Sequence, residues 1–269
     1  MTLTSTGIAH VGISHIPTEA RHAQAPARTA GGAGPPPRRP PGRDRPASGA
    51  PAQACPPLSE AGQSAGAHAP AADALPRIGP NAIIRVAEVL GSRPDDAERV
   101  FAAAGLCHHL ASPPEQMVDE RDVIALQQAL RRTLGMDAAR AVSFDAGLRT
   151  GDYLLAHRIP RPAQRVLRLL PPGPASRMLL KAVGRHAWTF SGSGAFSFVP
   201  RSLLHRRPVQ VRIDGCPICR GSHAEVPVCD FYTGAFERLF RTLVSRRTQV
   251  REVQCQAQGA DACVFEMRW

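Results

Sequence analysis

The sequence predicts an α+β domain, with N-terminal helices packed on a small antiparallel sheet behind a disordered N-terminal tail. Three observations predict it. Apolar residues recur at helical spacing between about Ile83 and Val183. The period then falls to two, with Val209, Val211 and Ile213 alternating with Gln210, Arg212 and Asp214. The C-terminus alternates again through Cys263, Phe265, Met267 and Trp269, after a turn at Gly259.

Residues 1–75 are mostly Ala, Pro, Gly, Ser and Arg, and a stretch such as G-G-A-G-P-P-P-R-R-P-P-G-R-D-R-P cannot bury enough surface to offset its chain entropy. They are expected to be a disordered tail, and Cys55 within it has no assigned role. A helical region is expected over 76–136 and a second domain over 137–269. The first helix carries Ile83, Ile84, Ala87 and Leu90 inward, with Pro80 in its first turn and Gly91 at its stop. The second runs over 94–104, with Ser92 as cap, Asp95 and Asp96 at its positive end, and Gly105 closing it. The third covers 120–134 and stops at Gly135. A fourth spans 137–155 despite Gly147 and Gly151, and two short helices opened by prolines cover 162–170 and 174–183. A strand is expected in Trp188 to Val199, around A-F-S-F-V, and a second at 209–214. Phe236, Leu239, Phe240, Leu243 and Val244 share one face, giving an amphipathic helix over 232–245. The chain ends in a hairpin whose first strand covers 250–257.

The 269 residues suffice for one or two domains, and the formal charge is +11, almost all of it arginine, with Lys181 the single lysine. A coding bias with a solvated face accounts for this, and so does an anionic partner: a carboxylated ligand, a membrane surface or nucleic acid. No helix-turn-helix, zinc-finger or RNP signature is present, so nucleic acid is set aside. No run approaches the roughly eighteen apolar residues of a membrane span, and no secretory h-region opens the chain. A cytoplasmic, reducing setting is expected, where the seven cysteines read as thiols or metal ligands before disulfides.

Cys229, Glu252, Cys255 and Cys263 are the principal candidates for chemistry. With the turn at Gly259, Cys255 and Cys263 fall opposite one another, and cross-strand Cβ atoms lie about 4.5–5.5 Å apart. Cys229 precedes the amphipathic helix, whose N-terminal end favours a thiolate. For Glu252 to join Cys255, three residues on, the strand must bulge or begin after Glu252. On residue types alone, a four-ligand zinc site and buried core cysteines beside a surface glutamate both remain open. Cys216-Pro217-Ile218-Cys219 is a candidate second metal or redox pair, with His205 and His223 as possible added ligands. His108, His109, His157 and His186 lie near apolar helical segments, where a neutral imidazole could ligate a tetrapyrrole magnesium or simply be structural. Arg158, Arg161, Arg165 and Arg168 surround a short helix and could face a carboxylate, a membrane or solvent. No nucleotide cofactor motif is seen, because Ser191-Gly192-Ser193-Gly194 leads into a strand rather than a helix.

The segments Cys229-Asp230-Phe231-Tyr232, Gly234 to Phe240, Glu252 to Gly259 and Cys263 to Phe265 resemble the 4-vinyl-reductase domain family. Its members bind zinc through Cys, then E-x-x-C-x7-C, the pattern that Cys229, Glu252, Cys255 and Cys263 match. Ile78 to Ala82, Ser143 to Leu154, Arg158 to Pro160 and the block from Cys216 to Trp269 are similar to the bacteriochlorophyll 4-vinyl reductase family over about residues 76–269. The resemblance implies a ligand-binding fold like that of a trafficking-complex subunit, stapled by structural zinc, and a homodimer. It implies action on the 8-vinyl (4-vinyl) group of divinyl protochlorophyllide or chlorophyllide, as an oxidoreductase with an external electron donor. The alternative is a non-catalytic tetrapyrrole carrier or assembly factor working with other pigment-synthesis enzymes. For a flat, carboxylated tetrapyrrole, Trp188, Phe190, Phe196 and Phe198 are the candidate binding residues, with His157 and His186. Peripheral contact with the photosynthetic membrane is compatible with this reading.

Overall fold

The computed structural model describes Cys55, residues 76–200 and residues 208–269. The disordered-tail expectation, apart from Cys55, and the suggested ligand His205 fall outside the described residues. Those from Pro76 onward belong to one compact unit, so the helical region and the domain expected after it share a core.

A two-residue strand β1 (Arg77–Ile78) opens this unit and pairs with β2 (Val118–Asp119). Between them lie α1 (Asn81–Leu90), α2 (Pro94–Ala104) and α3 (His108–Ala111). Helix α4 (Glu120–Leu134) is capped by the Asp119 carboxylate, which accepts from the Arg121 N–H at 2.9 Å. Helix α2 begins at Pro94 as expected, but Arg93 rather than Ser92 occupies its cap, without a side-chain bond. Proline at the first helical position needs no N–H partner and already has a helical φ, so the missing cap costs little.

Helix α5 (Met136–Tyr153) passes into a wider π-type turn over Leu154–Arg158. Helices α6 (Arg161–Leu169) and α7 (Pro172–Arg185) follow. The strand expected from Trp188 is shorter than its pattern suggested. Trp188–Ser191 is a helical turn, α8, and β3 begins only at Ala195 and ends at Val199. The reversal lies at Gly192, whose φ of 58° suits glycine and whose Cα sits against the Glu120 side chain. The buried Glu120 carboxylate fixes this reversal by accepting from the Ser193 N–H (2.7 Å), the Ser193 hydroxyl (2.8 Å) and Arg220 (2.5 Å). Burial pulls its pKa upward, and these partners outweigh that pull and hold it below the ordinary value.

Strand β4 (Val209–Asp214), helix α9 (Asp230–Leu243) and strands β5 (Gln249–Gln254) and β6 (Cys263–Arg268) complete the fold. The sheet order is β3-β4-β6-β5, all antiparallel. Register places Phe198, Val211, Phe265 and Glu252 in one row, and Phe196, Ile213 and Cys263 in the next row on the same face. That face packs on α9, with Phe265 edge-on to Tyr232 (6.0 Å between centroids) and Phe236 (5.7 Å). The expected strand 250–257 stops at Gln254, because Gln256–Gln258 turns as a 3-10 helix into Gly259 at φ 88°.

Helix α9 is locked onto α5 by glycines. A Cβ on Gly147 would fall on the Phe231 carbonyl, one on Gly234 on the Phe144 carbonyl, and one on Gly151 2.6 Å from the Arg238 Cβ. These small residues explain how a helix with two internal glycines survives, since they let two backbones meet. Arg140 adds a forked ion pair to Asp230 in the first turn of α9, at 3.0 and 3.2 Å. One expectation is corrected outright: Cys55 and Cys107 form a disulfide with Cα atoms 5.6 Å apart, so not every cysteine is a thiol or metal ligand. Their 52-residue separation gives no sequence signal.

Candidate metal centre

Five cysteines and one glutamate converge where the start of α9 meets the end of the β5–β6 hairpin. All six are buried. Their donor atoms fall into two sets of four, each lying within 4.8 Å of one another: Cys229, Glu252, Cys255 and Cys263, and Cys216, Cys219, Cys229 and Cys263.

Each donor has a local cause. Cys229 sits at the cap of α9, held in place by the α5–α9 crossing. Cys263 opens β6 on the inner face. Glu252 pairs with Phe265 and therefore faces the same side as Cys263, two residues earlier on β6. A bulge between Glu252 and Gln254 inserts Val253, so Val253 and Gln254 both lie at the surface and Cys255 turns back inward. Cys216 and Cys219 belong to a loop turned by Gly215 (φ 61°) and Gly221 (φ 67°). Gln256 ties that loop to the hairpin, its Oε1 accepting from the Cys216 N–H at 2.7 Å. From α4, Arg131 donates to the Ile218 carbonyl (3.0 Å) and the Ser222 hydroxyl (2.8 Å), and Gln128 donates to the Arg220 carbonyl (3.0 Å).

The Sγ separations are 3.9 Å for Cys229–Cys255, 3.6 Å for Cys229–Cys263, 3.5 Å for Cys216–Cys229 and 3.4 Å for Cys219–Cys263. A tetrahedron with zinc–sulfur bonds of about 2.3 Å has edges of about 3.8 Å, so these values fit ligation. Glu252 adds a second indication. Its Oε2 accepts from the Cys229 N–H at 2.8 Å, whereas Oε1 is buried without any hydrogen-bond partner. A buried acceptor left unpaired costs about 1–3 kcal/mol, and a cation would satisfy it. The donor set, soft thiolates with one carboxylate, suits zinc.

Electrostatics agree with a site shaped for a cation. Burial, then the neighbouring Cys255, push the Glu252 carboxyl up to about 9. Burial likewise raises the Cys229 thiol well above its ordinary value. Cys219 is shifted downward, first by hydrogen bonding from Cys216. Six crowded acids cannot all ionise side by side without positive charge among them. Arg131 supplies some of it: desolvation lowers its pKa, and the thiols of Cys229 and Cys219 pull it back up.

The other sequence candidates are scattered. His223 is exposed and outside both donor sets. Phe190 meets Phe196 edge-on at 5.7 Å, Phe196 lies 6.5 Å from Phe198, and all three are half-buried. Trp188 is 60% exposed on the turn before them. His186 is exposed at the end of α7 and its carbonyl accepts from Thr189. His157 lies elsewhere, its ring 5.0 Å from Tyr153, beside the cations Arg85 and Arg158 that flank that same tyrosine. Sequence reasoning missed Tyr232, which donates to the Phe190 carbonyl at 2.6 Å and joins the aromatic strip to the helix that bears Cys229. Its place in the helix-opening C-D-F-Y could have drawn attention to it. Arg131 carried no signal beyond being one arginine among many.

The model of the 4-vinyl-reductase domain matches residues 209–268, a stretch that holds all six donors. The chain is 42% identical over 193 residues to the "Bacteriochlorophyll synthase 23 kDa chain" of Cereibacter sphaeroides, covering 71% of this chain and 90% of that protein. The chain belongs to that family. The 23 kDa chain of Rhodobacter capsulatus is 41% identical over 195 residues, covering 72% of this chain and 87% of that one. Among solved structures, the phenol-bound sensory domain of the transcription activator PoxR aligns with TM-score 0.34 and 18% identity, over 57% of this chain and 77% of that one. A vinyl-4-reductase family protein from Methanocaldococcus jannaschii aligns with TM-score 0.26 and 18% identity, over 54% and 88%. In this member of the 23 kDa chain family, no helix among the described residues is long and apolar enough to cross a membrane.

Proposed function

We propose that this protein works in bacteriochlorophyll synthesis by binding a divinyl tetrapyrrole precursor and presenting it for reduction of its 8-vinyl (4-vinyl) group. The observation that carries this reading is the 42% identity extending over 90% of a protein named as a chain of bacteriochlorophyll synthase. The aromatic strip of Trp188, Phe190, Phe196 and Phe198 gives a flat apolar ligand something to stack on, and His186 and Arg185 at the end of α7 lie next to it in the chain. Zinc at Cys229, Glu252, Cys255 and Cys263 is structural in this reading: four protein donors, all buried, leave no open position for substrate.

Converting a vinyl to an ethyl group consumes two electrons and two protons. The resemblance to vinyl reductases favours a second reading, in which the protein catalyses that step with reductant from outside. One experiment separates them. Purified protein is titrated with divinyl protochlorophyllide, following the pigment's absorbance, and then supplied with NADPH or reduced ferredoxin. Saturable binding without monovinyl product supports presentation, and monovinyl product establishes catalysis. Absence of binding overturns both readings.

Two partner assignments go with this proposal. The protein is a homodimer, which light scattering of the purified chain tests. It also touches the photosynthetic membrane peripherally through α6 and α7. Seven cations lie between Arg158 and Arg185, and no acidic residue occurs from Tyr153 to Ile213. Val166, Leu169, Met178 and Trp188 are exposed among them. Cations around protruding apolar side chains suit an anionic lipid surface.

A further inference from the structure

The single-ion site leaves Cys216 and Cys219 unused, yet they are the donors most tightly bound to the shared thiols. Cys216 lies 3.5 Å from Cys229, and Cys219 lies 3.4 Å from Cys263. Cys229 and Cys263 belong to both sets of four and are themselves 3.6 Å apart. They form a common edge, with Cys216 and Cys219 completing one tetrahedron and Glu252 and Cys255 completing the other. Six donors with two in common is the count of a dinuclear site in which two thiolates each bridge both ions.

From this geometry we propose that the protein holds two zinc ions, bridged by the thiolates of Cys229 and Cys263, one completed by Cys216 and Cys219 and the other by Glu252 and Cys255. The inference builds on the single-ion site above and adds the second ion. Charge supports it. Six ionised donors carry six negative charges, of which one divalent ion offsets two and two ions offset four, with Arg131 contributing a further positive charge. The surroundings are built on both sides. Glu252 is oriented by the Cys229 N–H, Cys216 receives the Gln256 side chain at its N–H, and the Gln256 N–H points to the Cys263 sulfur at 3.4 Å. The loop bearing Cys216 and Cys219 is clamped to α4 by Arg131 and Gln128, so both thiols are fixed before any ion arrives.

The test is metal stoichiometry on the intact chain, by elemental analysis and native mass spectrometry after washing with a mild chelator. Two zinc ions per chain are expected, falling to one in the Cys216→Ser/Cys219→Ser variant and to one in Glu252→Gln/Cys255→Ser. One ion in the wild type overturns the proposal and leaves the single-ion site standing. No ion overturns both. Two ions retained in Cys216→Ser/Cys219→Ser overturn it as well. Should the variants fail to fold, cadmium-113 substitution of the wild type decides the matter. Two mutually coupled resonances are expected from ions joined through sulfur, and a single resonance rejects the bridge.

Discussion

Glu252 and Cys255 lie three residues apart on one strand and still face the same side of the sheet. A regular strand would turn them to opposite faces. The bulge at Val253 removes the conflict, placing Val253 and Gln254 outward in succession and returning Cys255 to the face that carries Glu252 and Cys263. If Val253 acts as a spacer, its deletion leaves Glu252 and Cys255 two apart, which again share a face in regular pairing. The Val253 deletion is therefore expected to keep its metal, whereas one alanine inserted after Val253 is expected to lose metal by turning Cys255 outward. Elemental analysis of the two variants checks this. A deletion variant devoid of metal would show that the bulge geometry itself, and not the shared face, positions the donors.

Ion binding and pH are linked through the same glutamate. Without a metal, the Glu252 pKa rises from 4.5 to about 9 through burial and the neighbouring Cys255. A raised folded-state value means that the metal-free fold is best supported below the unfolded value and loses that support as pH climbs toward 9. A metal ion replaces the proton, so its binding strengthens over the same window. The gap in Tm between zinc-loaded and chelator-treated protein is expected to widen from about pH 6 to about pH 8. Glu252→Gln should flatten this dependence. A gap that stays constant in the wild type, or narrows, contradicts the assignment of Glu252 as a ligand.

How far these features could be read from the sequence depends on whether their cause is local. The helix at 120–134, the strand at 209–214 and the terminal hairpin follow from side-chain periodicity, and each is present. Cys229, Cys255 and Cys263 could be grouped because one short hairpin and one helix start bring them together. Cys216 and Cys219 could not be joined to them. Their place depends on Arg131, 87 residues from Ile218, and on Gln256, 40 residues from Cys216. The strand expected from Trp188 misled for a related reason. Its apolar residues do alternate, but Gly192 and the distant Glu120 carboxylate force a reversal before Ala195. The Cys55–Cys107 disulfide likewise had no local trace.

The crossing of α5 and α9 sets where Cys229 stands, and glycines set the crossing. Gly147→Ala and Gly234→Ala would each place a methyl group on a backbone carbonyl of the facing helix. Overpacking of this kind costs roughly 1–3 kcal/mol, and rigid backbone on both sides allows little relief. Gly173 in α7 has nothing within 4 Å of its Cβ position, so Gly173→Ala is expected to be neutral or stabilising by up to about 1 kcal/mol through helix propensity. Denaturant titrations of the three variants test the contrast. Equal midpoints would mean that the crossing is loose and does not position the cluster.

The same logic of placement applies to the surface of α6 and α7. Leu169 is 86% exposed and Trp188 60%, both in a stretch lacking acidic residues. Each cation near an anionic lipid surface contributes about 1 kcal/mol, and that attraction fades once salt shortens the screening length to about 3 Å near 1 M. The apolar side chains contribute separately, by leaving water, and salt does not screen them. The protein is therefore expected to sediment with phosphatidylglycerol vesicles and not with phosphatidylcholine vesicles, and to be released largely by about 1 M salt. Leu169→Ala combined with Trp188→Ala should weaken binding at low salt, while Arg165→Gln with Arg177→Gln should reduce its salt dependence. Equal binding to both kinds of vesicle would remove the arginines from the interaction, and binding to neither would remove the membrane.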